Sequence, residues 1–180
     1  MPDTAPSLTI RDAVTGDLPA LVALSRKTFS DKFAHLYDPA DLASFLEESH
    51  SRAVYRGWLE DPETLVRVAE TGDGMLAAYL LCSKLTLTAP DPVPGALELK
   101  RVYVDGSLQG RGLGSRFIQE ALDWAQARGA PEIYLSVFSG NSDAQRLYRR
   151  LGWEKVSEFI FPVGRHRDLE YLMRFTLSVG

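Results

Sequence analysis

The stretch that decides the fold is "QGRGLGSRF", residues 109–117, in which three glycines alternate with larger side chains. A strand-like alternating segment, "ALELKRVYV" (96–104), precedes it, and an amphipathic helical pattern follows it and stops at Gly129. Glycines at this spacing remove side chains from a turn, so backbone N–H groups at the helix N-terminus can face an anion. The stretch therefore predicts a strand, an anion-binding turn and a helix in succession.

The glycine spacing allows three interpretations of this turn. A P-loop requires a Gly-Lys pair, which the chain does not contain. A dinucleotide-binding turn would need glycine in place of Ser115 and an acidic residue at the end of the next strand, "EIYLSVF" (132–138). A tight turn without a ligand is the default for a lone glycine cluster, so the choice depends on the sequence around it.

Composition and charge restrict the classes of function. The 180 residues are 45% apolar and 24% charged, with a formal net charge of −4 and a pI near 5.4. This balance is typical of a soluble globular protein and argues against a general nucleic-acid surface, which is normally basic. No run reaches membrane-spanning length, and the first ten residues lack the features of a signal peptide. We therefore expect a cytoplasmic protein with neither a nucleic-acid nor a membrane partner.

Cysteine and histidine usage argues against several kinds of site. Cys82 is the only cysteine, which excludes an intramolecular disulfide and a cysteine-based zinc cluster. It lies in the apolar run "AAYLLCSKL", which favours a buried strand thiol over a nucleophile. The three histidines have no metal-ligand spacing, so we expect no metal.

The order of elements predicts one α/β domain over residues 1–180, with a flexible segment at 1–6. Strand patterns alternate with helical patterns in the order β-α-α-α-β-β-β-α-β-α-β-β, which favours a single mixed sheet. The predicted strands are 7–13, 64–70, 74–85, 96–104, 132–138, 154–161 and 168–175, and the predicted helices fall within 16–29, 38–50, 51–61, the segment from the glycine turn to Gly129, and 141–152.

A second motif, "NSDAQRLYRRLGW" (141–153), decides between the interpretations of the turn. Together with Gln109-x-x-Gly112-x-Gly114, it resembles the GCN5-related N-acetyltransferase (GNAT) superfamily over roughly residues 96–155. The resemblance implies the GNAT fold, a single, mostly antiparallel sheet flanked by helices, with splayed central strands. It also implies acetyl-coenzyme A (acetyl-CoA) as co-substrate and an amine as acceptor. Dimers are common in the superfamily, and the sequence leaves the oligomeric state open.

The resemblance implies where the coenzyme binds. Backbone N–H groups of the glycine turn would hold its pyrophosphate, and the main chain of the preceding strand would pair with the pantetheine arm. Arg116, Arg149 and Arg150 are further candidates for phosphate contacts, or solvated side chains. The implied coenzyme-binding residues are Val102, Tyr103, Val104, Gln109, Gly110, Arg111, Gly112, Leu113, Gly114, Ser115, Asn141 and Tyr148.

Two residues match catalytic positions of the superfamily. Tyr148 matches the tyrosine that approaches the thioester sulfur, and a phenol with a pKa near ~10 can protonate a departing thiolate at neutral pH. Its alternative is a tyrosine that packs on the sheet. Glu98, eleven residues before Gln109, matches the glutamate that acts as general base in histone-type members. Its alternative is an ordinary polar strand position.

The segments 28–51, 97–114 and 168–177 resemble PaiA-type spermidine/spermine N-acetyltransferases, which implies a polyamine as acceptor. Two alternatives stay open: a peptide N-terminal amine, which predicts an open groove between the N-terminal helices and the last hairpin, and a non-catalytic module that binds acyl-CoA. A polyamine site predicts a closed acidic pocket. Tyr37 and Tyr103 would line the acceptor channel or fill the core. Five acidic residues in the N-terminal region could attract a cation or simply be solvated: Asp31, Asp38, Asp41, Glu47 and Glu48.

Overall fold

A computed structural model describes residues 7–178 of the chain, and the predicted flexible segment at 1–6 lies outside the described residues. The elements follow the predicted order, with short 3-10 turns at 15–17, 34–36 and 106–108. The helices are α1 (Leu18–Phe33), α2 (Pro39–Ser49), α3 (Arg52–Glu60), α4 (Leu113–Ala127) and α5 (Ser142–Arg150). The strands are β1 (Leu8–Asp12), β2 (Leu65–Thr71), β3 (Leu76–Lys84), β4 (Leu97–Val104), β5 (Glu132–Phe138), β6 (Glu154–Val163) and β7 (His166–Thr176).

The strands form one seven-stranded sheet in the order β1-β2-β3-β4-β5-β7-β6. Five of the six neighbouring pairs are antiparallel, and β4 and β5 are parallel. This parallel pair is short, because only Leu97↔Ile133 and Glu98↔Tyr134 are in register before the two strands diverge. The predicted mixed α/β fold with splayed central strands is confirmed.

Each face of the sheet carries its own core. On one face, α4 and α5 bury Phe117, Ile118 and Tyr148 against the sheet, and Val102 and Val104 of β4 point toward this cluster. On the other face, Leu21 of α1 is buried, and Tyr103 of β4 points that way. Burying a large apolar side chain stabilises the fold by about 1.5–3 kcal/mol, so both layers hold the sheet firmly. Alternation along β4 therefore directs neighbouring residues to opposite faces.

The chain's cysteine lies inside the first core. Cys82 is fully buried on β3, and burial raises the pKa of its thiol well above the ordinary range, so it stays a neutral core residue as predicted. Within residues 7–178 no three His, Cys, Asp or Glu side chains are grouped as metal ligands. None of the helices in that range has the length and apolar character needed to cross a membrane.

Candidate active site

A cavity of about 1060 Å³ lies where β4 and β5 diverge. Because the strands separate there, the cavity is lined from both faces of the sheet. The N-terminus of α4 and the residues of α5 line one half, which we call the turn half. Residues of α1, α2 and β7 line the other, which we call the aromatic half. Its volume is at the upper end for small-molecule sites, enough for two reactants to meet.

The glycine turn forms one end of the turn half. Helix α4 begins at an N-cap glycine, Gly112, whose φ of +77° is accessible to glycine but strained for other residues. The first N–H groups of a helix have no intrahelical acceptor, and here no capping side chain satisfies them. Leu113, Gly114 and Ser115 line the cavity, and a β-carbon at Gly112 would meet nothing within 4 Å. The turn therefore has room and free donors for a phosphate group.

The exposed edge of β4 forms the floor of the same half. Past Glu98, β4 bonds only to β3, so the main chain of Val102–Val104 has no strand partner on its β5 side within the described residues. The Gln109 side chain reaches back and donates from Nε2 to the Val104 carbonyl at 3.3 Å. This edge can pair with amide groups of an extended ligand. The predicted coenzyme residues all line the cavity except Arg111, which is exposed outside it.

Helix α5 closes the turn half from the side. Asn141 caps it, with its side-chain oxygen accepting from the Ala144 N–H at 3.4 Å, and also lines the cavity. Tyr148 is buried beside the ring of Trp153, at 5.9 Å between centroids, with its ring against the cavity. Burial alone raises the pKa of Tyr148, so the phenol keeps its proton at neutral pH. Arg150 lines the cavity, whereas Arg149 does not.

Glu98 lines the cavity at the point of divergence, but its oxygens are occupied. Oε2 accepts from the Thr86 N–H at 2.7 Å, the Thr86 hydroxyl at 2.8 Å and the Leu87 N–H at 3.2 Å. Oε1 lies 3.0 Å from Nζ of Lys100. The carboxylate therefore ties the segment after β3 to β4, a structural contribution that the sequence pattern does not show.

The aromatic half carries two acidic residues that the sequence analysis did not single out. Asp168 and Glu170 alternate on β7 and so point to the same face, and both line the cavity. The sequence "DLEYLMRF" could have indicated them, because its alternation puts two acidic residues on the same strand face as Leu172, which is buried. The aromatic side chains that line this half include Phe29, Phe33, Tyr37, Phe45, Phe138 and Phe161.

The two carboxylates have different environments. Asp168 is buried, accepts a 2.5 Å hydrogen bond from the Tyr37 hydroxyl, and lies 2.8 Å from Nδ1 of His166. Glu170 has its pKa raised to about 7, first by burial and then by the negative charge of Asp168. A carboxyl group with this pKa exchanges protons readily near neutral pH.

Residues 29–153 match the family of GNAT acetyltransferases. An uncharacterized N-acetyltransferase of Lactobacillus delbrueckii subsp. lactis is 30% identical over 161 residues, which cover 89% of this chain and 92% of that protein. The chain belongs to the GNAT family. As a member, it is an N-acetyltransferase that depends on acetyl-CoA.

Solved structures of the family share the fold over nearly the whole chain. The PaiA N-acetyltransferase of Thermoplasma acidophilum, solved with coenzyme A, superposes with a TM-score of 0.76 at 18% identity, covering 95% of this chain and 99% of that one. The ribosomal-protein-S18-alanine N-acetyltransferase of Escherichia coli gives 0.70 at 21% identity, covering 97% and 96%. These two enzymes bear different names on one fold, so the fold alone does not identify the acceptor of this GNAT protein.

The five acidic residues of the N-terminal region do not line the cavity of this GNAT protein. Glu47 pairs with Arg26 at 2.6 Å. Asp31 pairs with Lys27 at 2.8 Å, and Asp38 caps α2. Glu48 accepts a hydrogen bond from Ser44, and Asp41 accepts one from the Arg165 N–H. Their local partners support the solvated alternative, and the acidic residues that line the cavity come from β4, α5 and β7 instead.

The β6–β7 hairpin is closed onto α2. Asp41 accepts from the Arg165 N–H at 3.1 Å, and the rings of Phe45 and Phe161 lie 5.9 Å apart. Tyr37, just before α2, packs edge-on against His166 at 5.4 Å. These contacts bridge the groove between the N-terminal helices and the hairpin. The hairpin therefore narrows the aromatic half where it meets α2.

Replacing Gly164 with alanine is expected to loosen this closure. Gly164 has a φ of +55°, and an added β-carbon would overlap Cγ of Asp41, so the hairpin or α2 must move. We expect a loss of about 1–3 kcal/mol in the free energy of unfolding and a several-fold higher KM for the amine. Urea unfolding and steady-state kinetics measure the two effects.

The matched control for this substitution is Gly57→Ala in α3, where the added β-carbon meets nothing within 4 Å. Alanine is the better helix former, so this variant should be as stable as the parent or more so. Coenzyme affinity should not change in either variant, because the glycine turn lies in the other half of the cavity. If Gly164→Ala is destabilised but keeps the parent's KM for the amine, the packing of the hairpin on α2 does not contribute to acceptor binding.

Proposed function

We propose that the protein transfers the acetyl group of acetyl-CoA to a primary amine of a small cationic molecule, with polyamines as the class of acceptor. One observation carries the proposal: the cavity crosses the sheet, with free N–H donors in its turn half and two carboxylates among aromatic rings in its aromatic half. The amine would attack the thioester directly in a ternary complex, within one catalytic domain formed by residues 1–180.

The coenzyme would lie in the turn half. Its pyrophosphate fits the N-terminus of α4 at Leu113–Ser115, where free donors and the helix dipole favour a doubly charged group. The pantetheine arm would pair with the open edge of β4 at Val102–Val104, beside Asn141. Arg150 and Arg146, which also line the cavity, could add positive charge near a phosphate. Bound there, acetyl-CoA supplies an activated acetyl group at the point where β4 and β5 diverge.

Two groups of the chain would act on the thioester. The backbone N–H near Val102 would stabilise the carbonyl oxygen as it gains charge, since β4 offers unpaired main-chain groups there. Tyr148 would donate a proton to the departing sulfur, which its buried, protonated phenol permits. The assignment of Glu98 as general base, directly or through water, stays a prediction.

The aromatic half supports a small cationic acceptor. Faces of aromatic rings attract ammonium groups, and Asp168 and Glu170 add negative charge at the same end of the cavity. The closed hairpin argues against an extended peptide, which would need the groove that Phe45 and Phe161 bridge. Catalytic groups at the splay argue against a module that only binds acyl-CoA. A homodimer and a cytoplasmic location stay predictions from the sequence.

The test measures release of the coenzyme A thiol from acetyl-CoA with a panel of spermidine, spermine, diamines, amino acids, aminoglycosides and short peptides. We expect saturable release with polyamines and diamines at low KM. Saturation only with peptides bearing a free N-terminus would overturn the acceptor class. Tight acetyl-CoA binding by calorimetry, without release for any amine, would favour the binding module.

A further inference from the structure

Resting on the proposed function, we propose that Glu170 of β7 is the general base that removes the proton from the acceptor amine. This assigns a catalytic role to a residue outside the two motifs of the sequence. It also differs from the family resemblance, which implies Glu98 as the base.

The position of Glu170 is suited to the acceptor. In the sheet it is paired with Phe138 at the end of β5, four residues past Tyr134, the last β5 residue in register with β4. The ring of Phe33 from α1 packs edge-on against Phe138 at 6.1 Å, so helix α1 covers this point. Glu170 therefore faces the aromatic half, while Tyr148 lies in the core on the other face. An amine that enters the aromatic half meets Glu170 before it reaches the thioester.

Tyr103 lies between the two proposed proton-transfer groups. Its side chain packs toward the core beneath α1. Burial raises its pKa, Arg101 opposes that shift, and Tyr55, Tyr148 and Glu170 add smaller contributions that raise it. Tyr103, Tyr148 and Glu170 all line the cavity, and Tyr148 belongs to the core on the opposite face of the sheet from Glu170. The proposed base and acid would thus act from opposite faces, with the thioester presented by β4 between them.

Glu98 and Glu170 differ in what their oxygens contact. Three donors converge on Oε2 of Glu98, and Lys100 holds its Oε1. Taking up a proton there would disrupt an ion pair and a network that holds the chain after β3. Glu170 forms no ion pair in the described part of the chain, and a like charge, Asp168, is its electrostatic neighbour. A carboxylate that lacks a cationic partner can accept a proton at little structural cost.

The groups around Glu170 keep it ready to exchange protons. Burial and the charge of Asp168 raise its pKa to about 7, and Asp168 itself accepts a hydrogen bond from the Tyr37 hydroxyl. Glu170 in turn contributes to the raised pKa of Tyr37 and of Tyr103. The other charged or titratable groups that line this side of the cavity are Lys32, His50, Glu98, Lys100 and Arg101.

Two of these groups do not compete for the role. Burial, then the charges of Arg101 and Arg26, lower the pKa of His50 to about 2, so it stays neutral. Arg101 donates to the Tyr55 hydroxyl at 2.7 Å and lies over the ring of Trp58 at 4.9 Å. Both belong to the wall that joins α3 to β4. Neither side chain is therefore available to act as the base.

The proton transfers balance as follows. Glu170 takes one proton from the ammonium group and passes it to solvent, leaving a lone pair on nitrogen. That pair forms the C–N bond to the acetyl carbon, the C–S bond breaks, and its electrons remain on sulfur, which takes the proton of Tyr148. After the C–N bond forms, the nitrogen loses a second proton to solvent, and Tyr148 regains one proton from solvent. The sum is R–NH3+ plus acetyl-CoA giving the acetamide, coenzyme A thiol and one proton.

The experiment compares Glu170→Gln, Glu98→Gln and Glu158→Gln as full-length enzymes, using spermidine or, if the panel shows a better acceptor, that amine. Glu158 is exposed on β6 and paired in the sheet with Tyr171, which places it on the face opposite Glu170.

The kcat/KM of the parent enzyme should fall as the pH drops below about 7, because the base must be ionised. Glu170→Gln should lose about 10²–10³-fold at pH 7 and recover as alkaline pH supplies free amine. Glu158→Gln should retain the parent profile.

Each outcome decides between alternatives. A higher KM with unchanged kcat and pH profile in Glu170→Gln would overturn the base and make Glu170 an amine anchor. If the fall of kcat/KM at low pH shifts only in Glu98→Gln, then Glu98 is the general base. Calorimetric acetyl-CoA binding and thermal unfolding report whether each variant is folded. Absence of turnover in the parent with every amine would instead refute the proposed function, which separates the two failures.

Discussion

Replacing Gly112 with glutamate is expected to weaken acetyl-CoA binding by at least about 100-fold, or roughly 2.7 kcal/mol. The side chain would project from the N-cap of α4 into open space beside the cavity, where we propose that the pyrophosphate binds. A carboxylate there repels the phosphates and fills their position. The φ of +77° adds backbone strain that any β-carbon brings. Isothermal titration with acetyl-CoA measures the loss.

Two further variants separate these causes. Gly112→Ala introduces only the backbone strain, so its affinity should lie between those of the parent and Gly112→Glu. Gly106→Glu adds the same charge at a residue that does not line the cavity, where a β-carbon meets nothing within 4 Å. It should bind acetyl-CoA almost as the parent does. Parent-like affinity in a folded Gly112→Glu protein would mean that the phosphates bind elsewhere.

Replacing Tyr148 with phenylalanine is expected to lower kcat by about 100-fold, at the lower end of what a positioned acid contributes. The ring would keep its packing against Trp153, and only the phenol proton would be lost. Because only burial shifts the pKa of this phenol, with no hydrogen-bond partner contributing, stability and coenzyme affinity should remain close to those of the parent. Single-turnover kinetics with saturating amine and a direct binding measurement test the two parts.

The control for this substitution is Tyr171→Phe on β7. Tyr171 lies outside the cavity, on the opposite face from Glu170, and its ring holds the Lys155 ammonium at 3.7 Å. Phenylalanine preserves that contact, so kcat should not change. If Tyr148→Phe kept kcat within twofold of the parent, the sulfur would leave without help from this phenol, and the role of Tyr148 would reduce to packing.

Local sequence patterns predicted the elements well, and their ends less well. The strand predicted at 132–138 is observed as β5 with the same bounds, because its apolar run is flanked by clear breaks. Helix α1 continues to Phe33, four residues past its predicted end at Phe29, since Phe33 packs on Phe29 at 5.0 Å. Strand β7 begins two residues early, at His166, because hairpin pairing with Val163 extends it. Tertiary packing thus moved the ends of elements, which local propensity specifies weakly.

The sequence by itself determined the fold family and the turn half of the cavity. Its strand, glycine turn and helix are contiguous, and the function of such a turn depends on backbone conformation that glycine encodes locally. Only the tertiary structure decided the aromatic half. Tyr37 and Phe45 are far along the chain from Asp168 and Glu170, and their meeting depends on the hairpin packing on α2. Whether a carboxylate is tied down, as Glu98 is, or left to exchange protons depends on burial and through-space neighbours.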